Sequence, residues 1–195
     1  MSELITLPKP NQKGPMSLEQ TISARRSRRD FSPEPLTLEQ IGQLTWAAQG
    51  QDARSRYRTT PSAGATYPLE LFVVSGDGLF RYLPAEHSLE KVLGQDLRSA
   101  LSSAAWGQEF IKAAPLTLVF AARFSRTTNR YGQRGIRYVY MEAGHAAQNV
   151  HLQAESLGLG SVAVGAFDDA SVSKVLSLPD YAEPIYMVVV GYSRK

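Results

Sequence analysis

The sequence predicts an α+β fold: a central, mostly antiparallel sheet flanked by helices, with one long helix at its centre. Three observations predict it. From Arg134 to Gly160 the apolar residues Val139, Ala143, Ala146, Ala147, Val150, Ala154 and Leu157 recur at spacings of three and four. That is the helical period, held for about six turns. Four or five short apolar runs read as strands, with helical stretches interspersed. Two of those runs flank Gly76-Asp77-Gly78 near the start of the chain and read as a β-hairpin.

In order along the chain, residues 1–16 carry three prolines and little periodicity, so they read as an extended arm ahead of a single domain at 17–195. Ser17 with Gln20 makes a capping box that opens a short helix running into Arg25. Thr37 with Gln40 makes a second, opening a helix with Leu38, Ile41, Leu44, Thr45 and Ala48 on one face and Gly50 at its close. Residues 51–68 form a loop ending in TTPSAGATYP. LELFVVSG (69–76) and LFRYL (79–83) are the hairpin strands. Ser88 onward reads as helix, broken at Gly94. PLTLVFAARF (115–124) is a buried strand, and 125–135 is a loop into the long helix. Gly158 occupies the position of a left-handed C-cap. SVAVGAF (161–167) is a strand, Asp168-Asp169 caps a short helix, and PIYMVVVGY (184–192) is the last strand. The small residues Ala143, Gly144, Ala146 and Ala147 allow another backbone to approach the long helix closely. It is therefore either the buried spine of the fold or part of a subunit interface. Gly144 lowers helix propensity by about 1 kcal/mol relative to Ala, so an outside contact should offset it.

Composition narrows the class. With 195 residues and a hydrophobic fraction of 43%, the chain suits one globular domain. There is no cysteine, which excludes disulfides, thiol catalysis and thiolate metal sites and fits a reducing compartment. MSELITLPKP has no apolar core of a leader, and no window approaches eighteen apolar residues, so a cytoplasmic protein with no membrane partner is expected. The net charge is only +3, yet arginines cluster at 25–29, 54–58 and 123–137. An anionic partner follows as a possibility to weigh.

Several familiar motifs are absent or misleading. GLGSVA (158–163) has dinucleotide-loop spacing, but it follows a helix and opens a strand, the reverse of the Rossmann order. His87, His145 and His151 are not spaced as metal ligands, and no nucleophile motif supports a hydrolase. Glu142 and His145, one turn apart, read as a structural hydrogen-bonded pair rather than an acid/base pair. No catalytic residue and no metal site is assigned.

Arg25, Arg26, Ser27 and Arg29 place a hydroxyl among guanidinium groups at a helix end. Bidentate cationic donors and a short neutral one suit a phosphate; a solvated basic patch and a nucleic-acid surface are the alternatives. PSAGAT (61–66) is a loop of small side chains whose backbone can approach a flat ligand. VGAF (164–167) ends a strand in the same manner, and the chain finishes on the cationic Tyr192-Ser193-Arg194-Lys195. Together these describe a planar ligand with a phosphate tail, which suggests FMN.

The order RRSRRDF, PSAGATYPLELFVV, YGQRGIRYVYMEAGHAAQNVHLQAESLGLGSVAVGAF and terminal VGYSR resembles the nitroreductase superfamily. Within it, the likeness is to the SagB-type, thiazole/oxazole-oxidase-like dehydrogenase branch, over residues 17–194. The resemblance implies an FMN-containing α+β homodimer with the flavin at the subunit interface and the long helix in the dimer core. It implies that Arg25, Ser27 and Arg29, with Arg26 and Arg194, hold the phosphate and ribityl tail. Pro61, Ser62, Ala63 and Gly64 would pack on the ring from the partner subunit. Ala65 stands where many nitroreductases have an asparagine. Val164, Gly165 and Ala166 match the segment whose backbone amide faces flavin N5. Tyr131, Arg134 and Tyr138 are candidates to face the substrate. Relatives that oxidise peptide azolines carry a Lys-Tyr pair before the long helix, where this chain has Arg137-Tyr138.

The cofactor implies a ping-pong cycle from NAD(P)H or another hydride donor to a small-molecule acceptor, with the protein supplying binding, orientation and electrostatics. Two rival functions are a nucleic-acid-binding module, whose affinity would fall steeply with salt, and a flavin-binding protein without catalysis. Aromatic residues do not interleave Arg25–Arg29 as base-stacking platforms would, which disfavours nucleic acid as a partner.

Overall fold

The computed structural model describes residues 3–52 and 55–194. Seven strands form one sheet in the order β1-β4-β3-β2-β5-β7-β6, with every neighbouring pair antiparallel. Its interior strands are β2 (Leu69–Ser75), β5 (Leu116–Ala122) and β7 (Glu183–Gly191), with β3 (Gly78–Leu83) beyond β2. One edge is β6 (Gly160–Val164) and the other is β1 (Leu4–Thr6), which pairs with β4 (Ser88–Leu93). Every residue of β5 is buried. Its side chains alternate between two apolar clusters, Leu116, Leu118 and Phe120 in one and Val119 and Ala121 in the other. Helices therefore cover both faces, as a strand without a polar side requires.

On the first face lie α2 (Leu38–Gln49) and α6 (Arg134–Ser156), with α1 (Leu18–Ala24) against α6. Both predicted capping boxes form. Ser17 Oγ accepts from the Gln20 N–H at 3.2 Å while Gln20 Oε1 accepts from the Ser17 N–H at 2.7 Å. Thr37 and Gln40 repeat the exchange at 3.2 and 2.9 Å. Each satisfies two otherwise orphaned donors. In α6 the predicted stripe is the buried one: Val139, Ala143, Ala146, Ala147, Val150 and Ala154 all join the core. Gly158 closes the helix at φ 73°, the left-handed conformation expected of it. Among the described residues no helix is long and apolar enough to cross a membrane.

Four expectations are corrected. Residues 88–93 form a strand, not a helix. A turn with His87 at φ 45° returns the chain from β3, and β4 pairs along β3 on one side and along β1 on the other. The cross-strand pairs Arg81–Glu90 and Lys91–Glu3 lie along it. Helix propensity, a weak prior, gives way to a hairpin that buries Leu89. The stretch after Gly94 does become helical, as α3 (Arg98–Ala104). Residues 125–131 are helix α5 rather than loop, stopped at Gly132 with φ 56°. The small-residue face of α6 divides: Ala143, Ala146 and Ala147 pack inside the chain, and only Gly144 faces outward, where an added Cβ meets nothing within 4 Å. Finally, Glu142 and His145 do not pair, because Glu142 is buried against other elements and His145 is exposed.

The second face carries α3, α4 (Glu109–Ala113) and α7 (Asp169–Val175), packed through Leu101, Ile111 and Val172. Asp168 caps α7, accepting from the Ser171 N–H at 2.7 Å.

Candidate functional site

The basic segment 25–29 leaves α1 and runs beside the open edge of β6. Ser27 and Ser161 form a parallel bridge, and the Arg28 N–H donates to the Ser161 carbonyl at 3.0 Å. The C-terminus lies against the same segment, with Phe31 paired to Ser193 and the Arg194 N–H donating to the Asp30 carbonyl at 3.0 Å. Gly160 sits where these strands meet. A Cβ there would fall 2.8 Å from Ser193 Oγ and 2.9 Å from Arg28 Cδ, so any larger residue would have to push those two side chains aside. Three distant segments are thus brought together at one edge.

The guanidinium groups there are differently engaged. Arg28 faces Glu155 at 3.8 Å, Arg194 faces Asp30 at 3.9 Å, and Arg26 folds back on α1 to donate to the Ser23 and Arg25 carbonyls. A cation on those C-terminal carbonyls is favourably placed. Arg25, Ser27 and Arg29 make no side-chain hydrogen bond or ion pair to a described residue; Arg29 lies 6.0 Å over the Phe110 ring. Beneath them His151 Nδ1 and Ser161 Oγ are 2.7 Å apart and buried. Burial, aided by the Arg25 charge, pulls the His151 pKa down to about 4, so it adds no charge at neutral pH. Two arginines and a hydroxyl with free donors, over a neutral floor, fit a phosphomonoester.

At the far end of β6, Val164 is buried while Gly165 and Ala166 are exposed. The Ala166 carbonyl accepts from Gln108 Nε2 at 2.8 Å, two residues before the Phe110 that underlies Arg29. This segment and the basic segment therefore flank the same short turn into α4.

The 61–66 loop is wound into one 3-10 turn at Ala63–Ala65, and Gly64, Ala65 and Tyr67 all have positive φ (61°, 54° and 47°). For alanine and tyrosine that conformation is strained, and it persists because neighbours determine it. The Tyr67 N–H donates to Ser62 Oγ at 3.0 Å, Thr66 and Thr127 share a hydroxyl bond of 2.8 Å, and Arg130 donates to the Gly64 carbonyl at 3.1 Å. Tyr131 stands over Gly64, where a Cβ would come 2.5 Å from its hydroxyl oxygen, and packs edge-on against Tyr138 at 5.3 Å. Of the three residues expected to face a substrate, Tyr131 and Tyr138 thus stand together beside this loop. Arg134 opens α6 nearby and is exposed.

Below the loop lies a buried ionic group. Glu142 is 2% exposed, and its Oε1 has no hydrogen-bond partner. Burial pushes its pKa up to about 7, against the opposing pull of the Ser62 hydroxyl and the Arg58 guanidinium. Arg58 donates to Gln49 Oε1 at 2.6 Å and to the Leu69 carbonyl at 3.1 Å, and lies 4.7 Å over the Tyr67 ring.

The predicted residues therefore form two groups, not one. Arg25–Arg29, Val164–Ala166 and Arg194 share the β6 edge, whereas Pro61–Gly64, Tyr131 and Tyr138 lie toward the start of α6. Along α6 the loop is marked by Glu142 and the edge by His151, nine residues and about 13 Å further on. Sequence reasoning missed Glu142, His151, Ser161, Arg58 and Arg130 as parts of these groups. Glu142 and His151 did leave a signal: both are polar residues on the buried stripe of α6, where polar side chains need partners. Arg54 lies outside the described residues.

This seven-stranded antiparallel sheet with helices on both faces is the nitroreductase-like fold, and the comparisons agree. The model of the nitroreductase family matches residues 22–192, and the chain belongs to that family. It is 43% identical over 182 residues to Methanocaldococcus jannaschii MJ1384, named as a nitroreductase, covering 90% of this chain and 91% of that one. It is 30% identical to the microcin B17-processing protein McbC of Escherichia coli, covering 73% of this chain and 56% of McbC, in keeping with the SagB-type branch. The FMN reductase [NAD(P)H] of Bacillus subtilis is 26% identical, covering 88% and 64%. The chain thus spans little more than half of McbC and under two thirds of the reductase. A solved Ralstonia eutropha structure, also named as a nitroreductase, superposes with a TM-score of 0.89 at 34% identity, covering 98% of this chain and 90% of that one.

Proposed function

We propose that this nitroreductase-family oxidoreductase works with FMN in a site shared between two copies of the chain. The observation that carries the reading is the set of free donors at Arg25, Ser27 and Arg29 on the open edge of β6. Those three side chains hold the phosphate of FMN, with Arg26 and Arg194 adding positive charge around them. FMN held there would supply redox chemistry between NAD(P)H or another hydride donor and a small organic acceptor.

The chain's own part is to bind, orient and exclude water. Gly165 and Ala166 offer accessible backbone at the end of β6, and Ala166 is fixed through its carbonyl by Gln108. Pro61, Ser62, Ala63 and Gly64 present a flat, small-residue surface to the ring held by the other copy. The separation of this loop from the basic edge within one chain supports supply across the dimer. So does the outward face of α6, where Ile136, Tyr140 and Met141 are exposed around Gly144 among the described residues, Tyr140 touching only Phe124 by a ring contact. An apolar helix face of this kind is what a subunit interface covers. Tyr131, Arg134 and Tyr138 then border the acceptor. No side chain at the site would act as a dedicated acid or base, since positioned donors and positive charge would stabilise negative charge on a bound flavin.

The test is the flavin content of the purified protein. The wild type binds FMN, shows a flavin visible spectrum, and is bleached by anaerobic NAD(P)H. Arg25→Ala with Arg29→Ala loses most of its FMN; occupancy near wild type in that variant would refute the assignment of the phosphate site.

A further inference from the structure

We propose that a small basic cavity between β2, β3, α5 and the end of α2 binds a protonated tetrahedral oxyanion, inorganic phosphate, as an anion site separate from the β6 edge. The cavity has a volume of about 180 Å³, and Gln49, Arg58, Glu70, Arg81 and Arg126 line it. Pockets for drug-sized ligands run to roughly 300 Å³ and more, so this one suits a single small ion. Arginine outnumbers carboxylate on the lining by three to one. Other contacts hold each guanidinium in place. Arg58 donates to Gln49 Oε1 at 2.6 Å and lies 4.7 Å over the Tyr67 ring, and Arg126 Nη1 donates to the Tyr67 carbonyl at 3.0 Å. Arg81 is gripped by Glu90, through Nε at 3.0 Å and Nη2 at 2.7 Å. A guanidinium has five N–H donors, so each of the three keeps some that these bonds do not use. Groups fixed in advance lose little freedom when they take up an anion.

A second observation, independent of charge, points to an occupant. Gln49 is 1% exposed, and its Nε2 donor has no protein partner although the oxygen of the same amide is bonded. Glu70 carries the complement. Its Oε1 meets Arg126 Nη2 at 3.4 Å, while its buried Oε2 accepts from no protein group. A buried donor and a buried acceptor left unpaired are each costly, and here both belong to residues of one small cavity. An occupant that offers negative oxygens and a hydroxyl satisfies both. Its oxygens accept from the arginines and from Gln49 Nε2, and its O–H donates to Glu70 Oε2. Near neutral pH inorganic phosphate always keeps at least one proton, whereas sulfate, of the same shape, keeps none. A phosphomonoester gives up its last proton above about pH 6, so the free ion suits the Glu70 carboxylate where an esterified one does not.

The experiment is isothermal titration of the full chain at about pH 7.5 and constant ionic strength in chloride, with inorganic phosphate, sulfate and glycerol phosphate in turn. It is run on Arg25→Ala with Arg29→Ala, so that the β6 edge does not compete. That protein is expected to bind one phosphate and to prefer it to sulfate and to glycerol phosphate by at least about tenfold. In the same background, Gln49→Glu keeps an oxygen for Arg58 but replaces the unpartnered donor with a negative oxygen, and weakens phosphate binding by at least about tenfold. Glu70→Gln puts an amide where the ligand hydroxyl would donate, and the preference over sulfate disappears. The proposal is overturned if phosphate does not bind at millimolar concentration, if sulfate binds as well as phosphate, or if Gln49→Glu leaves phosphate binding unchanged. Glycerol phosphate binding as tightly as phosphate overturns the assignment to the free ion. Where Gln49→Glu does not fold, Glu70→Gln decides, and a retained preference for phosphate overturns the proposal. The cavity stands apart from the flavin reading, so a chain that selects phosphate in this way yet binds no FMN as wild type refutes that reading alone.

Discussion

Two buried ionisable side chains on α6 titrate in opposite senses. The Glu142 pKa rises from 4.5 in the unfolded chain to about 7 in the folded one, so folding favours its protonated form. Its contribution to stability is full below about pH 4.5 and is lost as pH rises through about 7. His151 falls from 6.5 to about 4, so folding favours its neutral form; its contribution is full above about 6.5 and is lost as pH falls through about 4. The two windows overlap and oppose, which flattens the wild-type profile between them. Glu142→Gln removes one side of the balance. Urea denaturation is expected to show the variant gaining on the wild type from about pH 5 to about pH 8, by at most roughly 3 kcal/mol. A constant difference across that range would mean that Glu142 is ionised in both states. The sequence marks both residues as polar positions on an apolar stripe. It does not mark their partners, because Ser62 lies 80 positions before Glu142 and Arg58 belongs to a loop without periodicity.

At the scale of elements, helices with local signals were legible. Both capping boxes, the Gly158 cap, the hairpin at 76–78 and the stripe of α6 follow from residues within one or two turns of each other. The misreadings lie where distant partners decide. Residues 88–93 are held as a strand by β3 and by Leu4–Thr6, more than eighty residues earlier in the chain. Helix α5 lacks a capping side chain and is secured by packing on α6. That packing depends on Gly135, where a Cβ would sit 2.9 Å from Thr128 Cα, a backbone atom that cannot rotate aside. Gly135→Ala is therefore expected to lower stability by about 1–3 kcal/mol, a fall of several degrees in Tm, and to speed deuterium exchange in 125–131. Unchanged exchange in that segment would show that α5 does not depend on this contact. Since α5 carries Tyr131 and the Arg130 that bonds the Gly64 carbonyl, the same variant should loosen the 61–66 loop.

For the whole molecule, the α+β class and the family resemblance were legible from the order of motifs along the chain, and family membership bears them out. Less legible was how the site residues group, since residues on one sequence list separate onto two ends of a helix once the chain folds. The central claim is that these ends meet across two copies. Mixed dimers test it most directly. One chain carries Arg25→Ala with Arg29→Ala; the other carries Gly64→Val, which places a branched side chain at φ 61° under the Tyr131 hydroxyl and spoils the loop. Each variant alone is expected to bind little FMN. After unfolding and refolding together, a mixed dimer has one site with both defects and one with neither, so flavin occupancy returns in half the sites of the mixed dimers and in none of the parental ones. No recovery on mixing, with each variant folded and dimeric, would contradict a site shared between subunits.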